Sequence, residues 1–245
     1  MTKIVYLVSS LGMHNKIDGI KYAKKMDNNN HIIDNLKNDI KNSVNAVIIP
    51  GNSYDVERND VLTQIFVESF NMSGININHV DLIDDRFNKN IKSIIESADL
   101  ILLGGGYPLE QIEFFNKIDL KNILKTYNGI IIGQSAGAMN CASRVLCSPE
   151  GIENFNDPVE WEGLGLTDIN IEPHFIKEDL LFNEEDKKIR EKLLELSYKG
   201  NLIAIPDGSY VRIDEEGKYV VYGEYFIIKR GKIIKNKDNK KYMVI

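Results

Sequence analysis

Short apolar runs alternate along the chain with longer stretches in which apolar residues recur every three or four positions. This pattern predicts a parallel sheet covered by helices on both faces, because strands buried on both sides are continuously apolar and the covering helices carry one apolar stripe. Strands are expected over 3–9, 45–50, 76–82, 99–103, 129–133, 167–172 and 202–206. Helices are expected over 55–70, 88–97, 109–115, 136–143 and 183–198.

Past residue 207 the pattern changes to short alternating strands in "SYVRIDEEGKYVVYGEYFIIKRGKII". Turns at Glu216-Gly217 and Arg230-Gly231 predict antiparallel hairpins there. Neither a repeat nor a low-complexity linker interrupts the chain, so we expect a single domain over residues 1–245. The predicted fold is a three-layer α/β fold with a mostly parallel central sheet and C-terminal antiparallel hairpins.

The segment "GIIIGQSAGAMN" places Ser135 between two glycines at the point where an apolar strand stops. This is the G-x-S-x-G pattern of a nucleophile elbow, in which a sharp strand-to-helix turn presents a serine hydroxyl above the sheet. Gly133 and Gly137 would remove side chains that collide in such a turn. A tight turn with a capping serine is the alternative interpretation.

A serine hydroxyl reacts only when a base takes its proton and a further group orients that base. His174 ends the alternating stretch "LTDINIEPHF", and Asp207 follows the apolar run of "LIAIPDGSYV". In open α/β sheets, functional groups gather at the carboxyl ends of strands, so both are candidates for these roles. An ordinary Asp-Gly turn is the alternative for Asp207, and Glu172 is the next candidate for the orienting acid.

The other histidines are weaker candidates for a base. His31 lies in the polar stretch "MDNNNH" and His79 lies inside a strand pattern, so both are interpreted as structural or surface residues. His14 follows the first strand at the correct edge of the sheet, which makes it a candidate substrate contact.

The glycine run 104–106 follows another predicted strand. An oxyanion hole needs two backbone N–H donors, and the residue after the nucleophile, Ala136, would supply one. Gly105 or Gly106 would supply the second from a backbone that approaches a ligand closely. A phosphate cradle is the alternative, although the run lacks the GK[ST] of a P-loop.

Composition narrows the class of protein. The 245 residues carry a formal net charge of −6, which argues against nucleic acid or an anionic membrane as a partner. The lysine-rich end "KRGKIIKNKDNKKYMVI" is interpreted as a solvated hairpin or tail. Cys141 and Cys147 lack metal-ligand spacing and are expected to be reduced thiols. With no membrane span or secretory signal in the sequence, we expect a cytoplasmic protein.

Four motifs together resemble those of one serine peptidase family, that of aspartyl dipeptidase (dipeptidase E) and cyanophycinase. They are "LLGGGYP", "GIIIGQSAGAMN", "GLGLTDINIEPHF" and "IAIPDGSYV", in the same order and at similar spacing from about residue 99 to 210. The resemblance implies a fold like that of the class I glutamine amidotransferases and a triad of Ser135, His174 and Asp207. It also implies an oxyanion loop at Gly105 or Gly106.

The chain departs from that family in three places. Tyr107-Pro108 stand where the dipeptidase usually has Asn-Thr, so Tyr107 is a second candidate substrate contact. Asp207 stands where the best-known dipeptidases have glutamate. The helix expected over 183–198 has no clear match to the arginine thought to hold the substrate carboxylate. The resemblance therefore implies the fold and the triad but not aspartyl specificity.

These observations predict a serine peptidase that cleaves a short peptide without a metal or cofactor, and they leave the oligomeric state open. Glutamine amide transfer on the related fold is one alternative, although it normally uses cysteine at the elbow. A catalytically silent binding protein is the other, because a fold does not guarantee its function.

Overall fold

A computed structural model describes residues 3–40, 43–148, 159–175 and 184–235. The strands up to the elbow are β1 (Ile4–Val8), β2 (His14–Ile17), β3 (Ile20–Ala23), β4 (Val44–Ile49), β5 (Ile77–Leu82), β6 (Leu100–Leu103) and β7 (Ile130–Gln134). The later strands are β8 (Arg144–Leu146), β9 (Glu160–Glu162), β10 (Asn170–Glu172), β11 (Leu202–Ala204), β12 (Tyr210–Ile213), β13 (Tyr219–Tyr222), β14 (Phe226–Lys229) and β15 (Lys232–Lys235). The helices are α1 (Ile32–Asp39), α2 (Val56–Met72), α3 (Ile91–Ser97), α4 (Pro108–Lys117), α5 (Leu120–Thr126), α6 (Ala136–Met139) and α7 (Glu184–Leu196).

The central sheet has seven strands in the order β13-β12-β1-β7-β6-β4-β5. The five strands from β1 to β5 in this order run parallel, whereas β12 and β13 extend the β1 edge in antiparallel pairing. This arrangement confirms the predicted mostly parallel sheet. Because parallel strands end at one edge, the loops after β1, β6 and β7 lie side by side.

Both faces of the central sheet are covered, as the apolar pattern predicts. In β1, Val5 and Leu7 face one core, and Tyr6 and Val8 face the other. Helices α3, α4 and α5 pack on the first face, and α1 and α2 pack on the second. No helix in the described ranges combines the length and apolar composition needed to cross a membrane.

Two predicted strands lie outside the central sheet. The segments expected over 167–172 and 202–206 form the shorter strands β10 and β11, which pair in parallel in a four-stranded sheet of order β10-β11-β14-β15. This sheet has its own core, formed with α7 around Leu193, Leu202 and Ile228. The pattern of a single strand does not specify its pairing partner, so the separate sheet was not predicted.

The predicted helices are present with different bounds, and several short elements were not predicted. The helix expected over 136–143 ends at Met139, because the chain then turns to bridge Ala142 to Thr167. The unpredicted elements are the β2–β3 hairpin, α1, α5 and the β8–β9 pair. His31, the residue directly before α1, has left-handed backbone geometry and forms no side-chain capping hydrogen bond. The Ser, Thr, Asp or Asn that usually marks a helix start is therefore missing at this position.

The C-terminal region forms the predicted antiparallel hairpins. β12 pairs with β13, and β14 pairs with β15 around the turn at Arg230-Gly231. The lysine-rich end therefore contributes a hairpin strand up to Lys235. The rest of that predicted tail, 236–245, lies outside the described residues.

Replacing Gly137 by alanine should lower the free energy of unfolding by about 3 kcal/mol, at the upper end of typical overpacking costs. The added Cβ would lie 2.2 Å from the carbonyl oxygen of Leu103, so backbone rather than a flexible side chain must move. Equilibrium urea unfolding measures the change. Gly104→Ala is the matched control, since its nearest heavy atoms would lie 3.4 Å away, and it should stay within about 1 kcal/mol of wild type. Equal stability of the two variants would contradict this packing.

Candidate active site

Ser135 occupies the sharp turn between β7 and α6. Its backbone has φ 53° and ψ −116°, a region that residues with side chains rarely adopt. Its N–H donates to the Val8 carbonyl at 2.9 Å, which ties the turn to the end of β1. A Cβ on Gly133 would lie 2.6 Å from the Gly137 carbonyl oxygen, so the close approach of strand and helix requires glycine. The geometry agrees with the G-x-S-x-G pattern.

His174 and Asp207 reach Ser135 from the ends of two neighbouring strands. The parallel ladder of β10 and β11 continues past the strands, through bonds from Ile205 N–H to the Glu172 carbonyl and from Phe175 N–H to the Ile205 carbonyl. The imidazole Nε2 lies 2.9 Å from Ser135 Oγ, and Nδ1 lies 2.7 Å from Asp207 Oδ1. The three side chains thus form one continuous hydrogen-bonded chain.

Ser9 is a further member of this cluster that sequence reasoning missed. Its hydroxyl donates to Asp207 Oδ1 at 2.7 Å and accepts the backbone N–H of His174 at 2.8 Å. Ser9 is fully buried and directly follows β1, which pairs with β7 so that Val8 lies opposite Gln134. One hydroxyl therefore fixes both the acid and the backbone that carries the imidazole.

The carboxylate of Asp207 is held in its charged form. The hydrogen bond from His174 is the main cause that lowers its pKa below the usual value, and the bond from Ser9 adds to it, while partial burial opposes both. The turn that carries Asp207 is itself anchored, because the Asn30 side-chain amide donates to the Gly208 carbonyl at 2.7 Å. Gly208 has φ 85°, which a glycine adopts without strain.

The glycine loop packs directly against the elbow. A Cβ on Gly105 would lie 3.2 Å from Ser135 Cβ, and one on Gly106 would lie 2.9 Å from the Gly51 Cα. Within the described part of the chain, the backbone N–H groups of Gly105, Gly106 and Ala136 donate no hydrogen bond. Three backbone donors without an acceptor therefore lie at the elbow and the adjacent glycine loop, and an oxyanion hole needs two donors of this kind.

A buried polar network holds the glycine loop in place. The Gln111 side-chain amide donates to the Gly104 carbonyl at 2.7 Å, and Asn140 donates to Gln111 Oε1 at 3.1 Å. Trp161 Nε1 in turn donates to Asn140 Oδ1 at 2.9 Å. These groups also bond one another. Gln111 of α4 therefore holds the glycine loop in place, and Asn140, which follows α6, holds Gln111.

Two cavities meet at Ser135. The larger, of about 250 Å³, extends toward the β2–β3 hairpin and α2, and the smaller, of about 220 Å³, extends toward β10. Ser135, His174 and Gly106 line both cavities. His14 lines the larger cavity. Tyr107 lines neither cavity; it is the N-cap residue of α4, and its exposed side chain forms no capping hydrogen bond.

The remaining candidates form bonds with other side chains. His31 and His79 form exposed contacts with Asp34 and Asp81, in line with their interpretation as surface residues. Glu172, the alternative acid, is buried, accepts the Ser148 hydroxyl at 2.7 Å and lines the smaller cavity. In the described ranges, no group of three or more His, Cys, Asp or Glu residues is placed to hold a metal ion.

Comparison with known proteins gives a family match and a structural match. The model of peptidase family S51 matches residues 21–221. No curated protein matches the chain. A crystal structure named as a proposed peptidase E from Listeria monocytogenes EGD-e is similar over all of both chains, with 14% identity and a TM-score of 0.56. At that identity the likeness shows a common fold, and it supports the predicted α/β architecture.

Neither cysteine should react with iodoacetamide in the native protein at pH 7.5. Both thiols are fully buried, and burial raises the pKa of Cys141 to about 12 and also raises that of Cys147. Mass spectrometry of the alkylated protein checks this, with urea-unfolded protein as the control that should gain two adducts. Rapid alkylation of either thiol in the folded protein would contradict the assignment and favour a cysteine-based site.

Proposed function

The chain belongs to peptidase family S51 and is a serine-type peptidase, and we propose that it cleaves short peptides with Ser135, His174 and Asp207 as its catalytic triad. The observation that carries this proposal is the continuous hydrogen-bonded chain from Ser135 Oγ through the imidazole to Asp207. Nucleophile, base and orienting acid stand in the order that acyl transfer requires.

In the proposed reaction Ser135 Oγ attacks the carbonyl carbon of the scissile peptide bond. His174 Nε2, at 2.9 Å, takes the hydroxyl proton as the new C–O bond forms. Asp207 accepts the Nδ1–H, which fixes the tautomer and stabilises the imidazolium. Ser9 acts as a positioning residue, because its hydroxyl holds both Asp207 and the His174 backbone.

The negative charge that develops on the carbonyl oxygen would be held by backbone N–H groups. Ala136 and one of the glycines Gly105 and Gly106 are the proposed donors, since none of these three N–H groups donates a bond to another described residue. The imidazolium then protonates the leaving amine, the C–N bond breaks, and an acyl-serine remains. Water activated by His174 hydrolyses that ester and restores the hydroxyl.

The size of the site supports a short substrate. Two cavities of about 250 and 220 Å³ flank Ser135, so a peptide of a few residues can place one part on each side of the reacting serine. None of the proposed steps requires a metal or an organic cofactor. Location in the cytoplasm stays a prediction from the sequence. A dipeptide library incubated with purified protein, with new amines detected, tests the proposal and identifies the substrate.

Replacing Ser135 by alanine should reduce kcat on the peptide found in the library by about 10⁶, to the limit of the assay, since the nucleophile is lost. Ser97→Ala is the matched control, because that exposed hydroxyl bonds only within α3, and it should keep full activity. Steady-state kinetics measures both variants, with circular dichroism to verify folding. Full activity in a folded Ser135→Ala protein would end the proposal.

Replacing Asp207 by asparagine should lower kcat by about 10³ to 10⁴, because the uncharged amide favours the wrong imidazole tautomer. KM should change little, since the loss is felt mainly in the transition state. The same kinetic assay measures this variant.

Asp214→Asn is the control for that charge change. Asp214 Oδ1 accepts backbone N–H groups in the β12–β13 turn, a role that an amide oxygen can keep, so activity should be unchanged. If Asp207→Asn retains more than about a tenth of wild-type kcat, Asp207 is not the triad acid, and Glu172 is the next residue to replace.

A further inference from the structure

The larger cavity beside Ser135 has a distinctive charge. Two cationic side chains line it, Lys21 from the β2–β3 hairpin and Arg58 from the first turn of α2. His14 and His174 also line it, and none of the described residues along its wall is acidic. The wall that carries these cations is formed where β3 packs against α2, and the acidic Glu172 lines the other, smaller cavity.

These cations have no anionic partner within the protein as described. Lys21 and Arg58 form no ion pair with another described residue, in contrast to Lys24, which pairs with Asp27 next to the cavity. Burial is the main cause that lowers the pKa of Lys21, and the positive charges of Arg58 and Lys16 are close enough to lower it further. Like charges held together at a cavity wall repel each other, and an anion between them would relieve that repulsion.

The cavity places these cations within reach of a bound peptide. Lys21, Arg58 and Ser135 all line this one cavity, and its remaining wall is formed by small, apolar or neutral groups such as Gly105, Leu62 and Asn59. A guanidinium and an ammonium are the groups that bind carboxylates most strongly in proteins.

We infer that Lys21 and Arg58 form a subsite that binds a carboxylate of the peptide and thereby determines which peptides are cleaved. This inference rests on the proposed function, because it names the part of the peptide substrate that the larger cavity beside Ser135 binds. The carboxylate comes either from the C-terminus of the peptide or from an acidic side chain. Both sources present the same planar anion to the cavity.

The experiment measures peptide binding without turnover, in the full-length Ser135→Ala protein, by isothermal titration calorimetry. Ala-Ala and Ala-Ala amide differ only in the terminal carboxylate, and Asp-Ala amide and Asn-Ala amide differ only in the side-chain carboxylate. The carboxylate member of at least one pair should bind about 10- to 100-fold more tightly, the scale of a charge-assisted hydrogen bond. The pair that shows the preference identifies the source.

Arg58→Gln and Lys21→Gln, each in the Ser135→Ala background, should reduce that preference by at least about tenfold. Lys16→Gln is the matched control, because Lys16 pairs with Lys21 across the same hairpin but does not line the cavity, and it should keep the preference. Equal binding within both pairs, absence of binding by all four peptides, or a preference that survives in both variants would overturn the inference.

Hydrolysis of the same four peptides by the wild-type protein separates this inference from the proposed function. Carboxylate preference in binding without any hydrolysis would leave the subsite intact and contradict the peptidase proposal. Hydrolysis that is equally fast within each pair, with no preference in binding, would support the peptidase proposal and contradict the subsite. In the expected result, the preference in kcat/KM follows the preference in binding and arises mainly from KM.

Discussion

The backbone turn at Ser135 is the constraint on which the rest of the site depends. A residue with a side chain is held there at φ 53°, in a conformation that costs of order 1–3 kcal/mol. Glycines at 133 and 137 let strand and helix approach to distances that a Cβ would block, and the bond to the Val8 carbonyl fixes the turn to β1. The strained turn is held because β7, which leads into it, is paired on both sides with β1 and β6 in the buried middle of the central sheet.

Groups from two sheets meet at this turn. The central sheet supplies Ser135 and Ser9, and the smaller sheet supplies His174 and Asp207 from the ends of β10 and β11. Ser9 joins them, since its single hydroxyl bonds Asp207 and the His174 backbone. The distance between the His174 imidazole and the Ser135 hydroxyl therefore depends on how the smaller sheet packs against the central one.

Much of this arrangement could be predicted from the sequence, because some signals are local. The elbow is a contiguous motif, and apolar runs that end in a glycine loop, a histidine or an aspartate mark strand ends. Other features arise only when distant segments meet. Ser9 belongs to no motif and becomes relevant because β1 lies beside β7. Arg58 likewise lines the same cavity as Ser135 only in the folded chain. The assignment of β10 and β11 to a separate sheet likewise depends on pairing that periodicity does not encode.

In the proposed function the Ser135 hydroxyl is an activated nucleophile, and covalent phosphonylation tests that property most directly. The folded wild-type protein would be treated with a fluorophosphonate, digested, and mapped by mass spectrometry. The account predicts one adduct per chain, on the peptide that contains Ser135, and none when the protein is unfolded before treatment. A folded protein that gains no adduct, or gains it on another residue, would contradict the account.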